Sequence, residues 1–242
     1  MRIGILKAGE TNPGMLPEFS TYTKIFDTFF KSEPGFDAFT VTVIDVMGGE
    51  MPADIHAHDG YLVTGSATGV YDDEPWIAPL AAFLRDAHAN DIPLAGICFG
   101  HQMLAHSLGG HAEKFEDGWG LGVYDVPMNN KPDWIDDRDS IRLIHIHQDQ
   151  VKAMPTGGTL IGSTSFCNIA MYHVGNTVFS MQGHPEFTMD YTERLLDLRR
   201  DIMGTDRVDA ASTTYADGHD GLIVARWFYN FFAQHASKSA DR

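Results

Sequence analysis

Gly96-Ile97-Cys98-Phe99-Gly100-His101-Gln102 is the stretch on which the fold turns. Just upstream, Ile92-Pro93-Leu94-Ala95-Gly96-Ile97 is short and apolar, the pattern of a buried strand. Just downstream, Gly100 to Leu108 reads as a helix that stops at Gly109-Gly110. Cys98 therefore falls at a strand-to-helix junction, inside a G-x-C-x-G pattern. That is the thiol counterpart of the sharp turn that lifts a nucleophile above a sheet. The partial positive charge of a helix N-terminus favours the thiolate there.

Working outward from this junction, strands and helices alternate. Arg2 to Lys7, Phe39 to Val46 and Gly60 to Thr64 read as strands. Leu16 to Lys31 carries a broad apolar face at helical spacing, formed by Leu16, Phe19, Tyr22, Ile25, Phe26, Phe29 and Phe30. Glu74 to Ala89 is expected to be a helix with Pro75 in its first turn. Beyond Gly110 the pattern turns extended: Gly122 to Val126, Ile141 to His147, Thr159 to Ser163, and Ala170 to Met181 with a hairpin turn at Gly175-Asn176. Tyr191 to Met203 and Gly221 to His235 read as helices, and Thr205 to His219 as a polar connector. The expected fold is α/β: a doubly wound, mostly parallel, flavodoxin-like sheet flanked by helices, with an added β-hairpin region. Residues 1–189 form the α/β domain, and residues 190–242 a helical C-terminal extension packed on it.

Composition narrows the function. The 242 residues are 43% hydrophobic, enough for one domain with a sizeable core. With 33 acidic and 17 basic residues the formal charge is −16, so neither nucleic acid nor an anionic membrane is an expected partner. The opening run Met1-Arg2-Ile3-Gly4-Ile5-Leu6 is too short for a signal peptide. Two cysteines, Cys98 and Cys167, fit a reducing cytoplasm, since a disulfide would disable Cys98.

A thiolate nucleophile needs a base, and the base needs an orienting group. His184-Pro185-Glu186 can supply both: in extended chain, residues two apart project to the same side, so Glu186 can hold the tautomer of His184. The backbone N–H groups of Phe99 and Gly65 are candidate oxyanion donors. Each element alone has a bland reading: a buried core cysteine, a turn, a strand-end loop. Their order along one inferred sheet favours a catalytic site.

On these residues the chain resembles the class I (triad) glutamine amidotransferase family, over roughly Ile3 to Glu186. The Cys98 junction with Gly100-His101-Gln102 is similar to the family's nucleophile motif, His184-Pro185-Glu186 to its histidine–glutamate motif, and Thr64-Gly65-Ser66 with Val70-Tyr71-Asp72 to its oxyanion loop. The resemblance implies that Cys98 attacks the side-chain amide carbon of glutamine to form a γ-glutamyl thioester. His184 then protonates the departing ammonia and activates water. It also implies substrate contacts from Gln102, Gln148 and Asp149, the last two largely through backbone. No cofactor is implied.

Gly183 stands where many members have an aromatic residue, which is similar to the stand-alone branch related to the GMP synthase glutaminase domain. That branch includes peptidases that cleave γ-glutamyl bonds. The sequence has no S-G-G-x-D-S loop of an ATP-pyrophosphatase partner domain. A separate synthase subunit is one expected partner; a self-sufficient γ-glutamyl peptidase is the alternative, and a non-catalytic regulatory module a third.

Other features read as structural. His145 and His147 share a strand face without a matching ligand set, so no metal is expected. Cys167 reads as a core thiol. Trp227-Phe228-Tyr229-Phe231-Phe232 reads as the packed face of the last helix, and a partner-docking surface is the weaker reading.

Overall fold

The computed structural model describes residues 1–16 and 18–239. In chain order its elements are β1 (Arg2–Leu6), α1 (Tyr22–Lys31), β2 (Thr40–Ile44), β3 (Gly60–Val63), α2 (Ile77–Ala89), β4 (Leu94–Ile97) and α3 (Phe99–Ser107). There follow β5 (His111–Lys114), β6 (Gly120–Pro127), β7 (Ser140–His147), β8 (Asp149–Ala153), β9 (Gly158–Gly162), β10 (Met171–Val174) and β11 (Val178–Met181). The chain continues through α4 (Met189–Leu198), α5 (Arg200–Met203), α6 (Thr205–Ser212) and α7 (Gly221–Ser239).

Seven strands form the central sheet in the order β2-β1-β3-β4-β11-β10-β9. The first five run parallel, and β10 pairs antiparallel with both its neighbours. Two-stranded antiparallel ladders, β6 with β7 and β5 with β8, stand beside it. The β10–β11 hairpin turns through Gly175, whose φ is +50°.

Alternation along the strands divides the core into two layers. Ile3, Ile5, Leu62, Ala95, Ile97, Phe179 and Met181 point to one face, where α1 brings Phe26, Phe29 and Phe30 and α7 brings Trp227, Phe228, Phe231 and Phe232. Leu6, Tyr61, Val63, Leu94 and Val178 point to the other, against Leu80 and Leu84 of α2 and Met103 and Leu104 of α3. Both faces of the inner strands are covered, which explains why β1, β3, β4 and β11 read as apolar runs, whereas the edge strand β2 is largely exposed. The aromatic cluster of α7 is buried core, so it offers no docking surface in those four rings.

Several expected boundaries move. The helix expected from Leu16 starts at Tyr22 instead. Leu16 is extended and 45% exposed, as suits a residue preceding proline, and Asn12 caps a short 3₁₀ turn at Pro13–Met15 before it. The helix expected from Glu74 starts at Ile77, which leaves Pro75 ahead of it. The single helix expected over Tyr191–Met203 breaks at Arg199, the non-helical residue between α4 and α5. The connector expected from Thr205 contains α6, whose apolar contribution is only Val208 and Ala211, too little to show as a periodic face. The polar ladder β5–β8 has no counterpart in the sequence pattern; only Ala112 of β5 is buried.

Candidate active site

The β4–α3 junction is a place of backbone strain. Cys98 sits at φ +53°, ψ −104°, a region that residues with side chains rarely enter. The flanking glycines make the turn possible. A Cβ on Gly96 would lie 2.5 Å from the carbonyl of Gly100, and one on Gly100 would collide with the Val63 carbonyl oxygen. The junction is thus clamped between its own strand and β3. Cys98 is 6% exposed, and its N–H donates to the Met181 carbonyl at 2.9 Å, which ties the thiol to the end of β11.

The chain leaving β11 delivers His184. The His184 N–H donates to the Ile144 carbonyl of β7 at 2.7 Å, and its ring lies flat on Phe187, centroids 4.3 Å apart and planes within 5°. His184 Nδ1–H donates to Glu186 Oε1 at 2.8 Å, with both side chains buried. Because a carboxylate only accepts, the proton sits on Nδ1, and Nε2 is left for the thiol, which hydrogen-bonds the ring. Burial opposes protonation of His184, but the Glu186 carboxylate and the thiolate form of Cys98 outweigh it. They raise the imidazolium to about 10.

Gly65 follows β3 and faces this pair: a Cβ there would come 3.0 Å from His184 Cε1 and 3.6 Å from Cys98 Cβ. Its backbone is in hydrogen-bond contact with the Tyr22 hydroxyl. Phe99 opens α3, so its N–H has no partner inside the helix. The structure therefore brings Cys98, His184, Glu186, Gly65 and Phe99 together.

Two chambers meet at the thiol. One, of about 360 Å³, is lined by Gln102, Gln148 and Asp149 together with Ser66, Tyr71 and Lys114. In it Gln102 Nε2 donates to the Asp149 carbonyl at 2.9 Å and to Gln182 Oε1 at 3.1 Å, so both its amide hydrogens are engaged. The Asp149 carboxyl accepts from the Tyr71 hydroxyl, and burial raises its pKa. The other chamber, of about 550 Å³, is lined by His184, Tyr22 and the loop Glu10–Pro13. Cys98 and Arg199 line both. A separate cavity of about 860 Å³ between the β6–β7 ladder and α6 includes neither Cys98 nor His184.

His145 and His147 are buried and face each other, Nδ1 to Nε2 at 3.1 Å, and His147 Nδ1–H donates to the Asp149 carbonyl at 3.0 Å. Burial lowers both, His147 to about 3, which keeps these rings neutral. Among the described residues no group of three or more histidine, cysteine or acidic side chains is placed to hold a metal. Cys167 is a buried free thiol, pushed up to about 12 by burial.

A family model for class-I glutamine amidotransferases matches residues 44–197. The chain belongs to this family. Glutamine amidotransferases of this class hydrolyse a γ-glutamyl amide through a cysteine, and this member is an enzyme of that cysteine-hydrolase type. Among its relatives is γ-glutamyl peptidase 3 of Arabidopsis thaliana, 27% identical over 218 residues, covering 85% of this chain and 86% of the relative. A glutamine-hydrolyzing GMP synthase subunit from Halobacterium salinarum is 31% identical over 145 residues, 56% of this chain and 69% of that one. A glutamine amidotransferase structure from Thermotoga maritima superposes with a TM-score of 0.74 at 18% identity, covering 97% of both chains.

A Cβ on Gly183 would lie 2.8 Å from Leu143 Cβ, so the missing side chain lets this segment pack against β7. Four side chains of the site escape a reading of the sequence. Gln182 is fully buried, and its Nε2 approaches Cys98 Sγ at 3.6 Å. Tyr22 looks like any aromatic on the α1 face, Phe187 like a residue after a turn, and Arg199 like helix interior. Gln182 precedes the histidine motif by two residues and is the one a strand-end reading could have found. Among the described residues no helix is long and apolar enough to cross a membrane.

Proposed function

We propose that Cys98, His184 and Glu186 carry out hydrolysis of a γ-glutamyl amide bond, with Phe99 and Gly65 as oxyanion donors and the glutamyl group in the chamber of Gln102, Gln148 and Asp149. The observation that carries this is the buried His184–Glu186 pair at 2.8 Å, set against a thiol in a strained strand-to-helix turn. His184 accepts the thiol proton on Nε2, which makes the sulfur a thiolate. The thiolate adds to the γ-carbonyl carbon, and the carbonyl electrons move to oxygen, where backbone N–H groups receive them. Collapse breaks the C–N bond as the imidazolium donates its proton to the leaving nitrogen, which leaves a γ-glutamyl thioester. His184 next takes a proton from water, hydroxide attacks the thioester, and the C–S bond breaks to release glutamate and restore the ion pair.

The leaving amine departs on the His184 side, into the larger chamber. Its size, about 550 Å³, and the similarity to a plant γ-glutamyl peptidase support a substrate with an organic amine rather than ammonia alone. Similarity to a GMP synthase subunit favours a second reading, in which glutamine is the substrate and ammonia passes to a separate synthase. Either reading needs a reduced Cys98, in keeping with a cytoplasmic setting.

The test measures glutamate release from glutamine and from γ-glutamyl dipeptides by the isolated chain. Turnover of dipeptides without any partner, lost in Cys98→Ser, is the expected result. Glutamine turnover that rises only on adding a synthase, with no dipeptide turnover, selects the second reading. Turnover that persists in Cys98→Ser rejects the assignment.

A further inference from the structure

Arg199 stands at the break between α4 and α5 and lines both chambers beside Cys98. Its sequence neighbours spend their charge on the protein: Arg194 pairs with Glu18 and Asp197, and Arg200 with Asp197 and Asp209. Arg199 has no ion pair among the described residues, in a chain whose formal charge is −16. Its guanidinium carbon instead lies over the Trp119 ring, 5.5 Å from the centroid. Arg207 holds that partner in place, donating to the Trp119 carbonyl at 3.1 Å and the Asp117 carbonyl at 2.6 Å. A guanidinium held over an aromatic face by this attraction still has N–H groups to offer, and their fork matches a carboxylate with two parallel hydrogen bonds.

The chambers decide which carboxylate. The glutamyl chamber already holds a second cation, Lys114. In the leaving-group chamber Arg199 is the only lysine or arginine among the described lining residues, and the acids Glu10 and Asp201 share its rim. An anionic leaving group entering there meets one unpaired partner. When the leaving amine is an α-amino acid, its carboxylate lies two bonds from the scissile nitrogen, near the thiol and therefore near the boundary that Arg199 spans.

We propose that Arg199 is a specificity-determining residue that binds the carboxylate of an amino-acid leaving group, so that the substrates are γ-glutamyl peptides with a free carboxylate on the residue released. This rests on the γ-glutamyl hydrolase reading above and names the substrate class of that same site. Ammonia carries no carboxylate and gains nothing from Arg199.

The experiment compares kcat/KM for γ-glutamyl-alanine and γ-glutamyl-alaninamide in the wild type, Arg199→Gln and Arg199→Lys, each checked by thermal melting. The expected result is a wild-type preference for the acid of about ten-fold or more, the worth of a charge-assisted pair. Arg199→Gln abolishes the preference, and Arg199→Lys, with a point charge and no fork, keeps part of it. An equal fall on both substrates in Arg199→Gln overturns the proposal, because it assigns the residue to the glutamyl group; so does no wild-type preference. Binding of the two dipeptides to Cys98→Ala, by calorimetry, separates the two readings. If the wild type hydrolyses neither substrate, the hydrolase reading fails. Tighter binding of the acid, lost on adding Arg199→Gln, then still supports Arg199 as the carboxylate site, and equal binding overturns it.

Discussion

The α-carbon of Gly100 lies so close beneath Val63 that a side-chain carbon there would collide with the Val63 carbonyl oxygen. The contact fixes the first turn of α3 against the end of β3, the strand that Gly65 follows. One backbone approach thus sets the spacing between the thiol and a candidate oxyanion donor. Gly100→Ala must push the helix from the strand, since backbone rather than a flexible side chain is in the way. We expect a loss of about 1–3 kcal/mol in stability, the usual range for overpacking, and a larger proportional loss of activity. Thermal unfolding and glutamate release measured on the same sample check this; a variant with wild-type melting and wild-type rate shows that the junction has slack.

Glu186 is argued to act only through His184. Glu186→Gln keeps the shape of the side chain but lets it present either an acceptor or a donor to Nδ1, so the wrong tautomer becomes available. A fall in kcat of about 10³-fold or more is expected by analogy with carboxylate-to-amide changes in other triads. The fold should persist, as judged by melting. A rate within ten-fold of wild type assigns Glu186 to the turn alone.

The pH profile follows from the same pair. His184 is raised to about 10 in the folded chain, against ~6.5 for a free imidazole. Its contribution to stability is therefore complete below the unfolded value, and is lost as pH rises through about 10. Activity has the same alkaline limit, because the imidazolium must protonate the leaving nitrogen. We expect kcat/KM to hold from neutral pH to about 9 and to fall near 10. In Glu186→Gln the residual activity should fall at lower pH, since the anion that retains the proton is gone. A fall at unchanged pH means another group sets the limit.

Much of this site is legible because its chemistry depends on local grammar. The Cys98 turn needs glycines two residues to either side, and His184 with Glu186 needs one extended segment, so both leave compact marks in the sequence. The inner parallel strands β1, β3, β4 and β11 are visible as apolar runs because they are covered on both faces. Illegible are the contributions that exist only through distant packing. Gln182 reaches Cys98 because β11 lies beside β4, Tyr22 reaches Gly65 because α1 packs on one face of the sheet, and Arg199 enters because the α4–α5 helix breaks there. Apart from the place of Gln182 two residues before the histidine motif, nothing in their local sequence distinguishes them from core or surface residues of the same types. The polar ladder β5–β8 is hidden for a related reason: with three of its four residues exposed, β5 has no apolar alternation to read.

Tyr22 gives the sharpest test of such a distant contribution. Its ring is fully committed to packing, edge-on to Phe26 at 5.3 Å, so Tyr22→Phe removes one oxygen and leaves the apolar contacts. That oxygen touches the backbone of Gly65. Burial, followed by the negative charges of Glu186 and Cys98, raises the phenol well above its ordinary value, so it stays protonated throughout the working range. A neutral hydroxyl held against an oxyanion-loop backbone can position that loop without adding charge to the site. Losing one such hydrogen bond should lower kcat by about ten-fold while KM moves little, since the glutamyl chamber on the far side of the thiol is untouched. Equal changes in both parameters point to a shift of the substrate pocket. An unchanged kcat reduces Tyr22 to a packing residue and leaves the placement of Gly65 to the Gly100–Val63 contact alone.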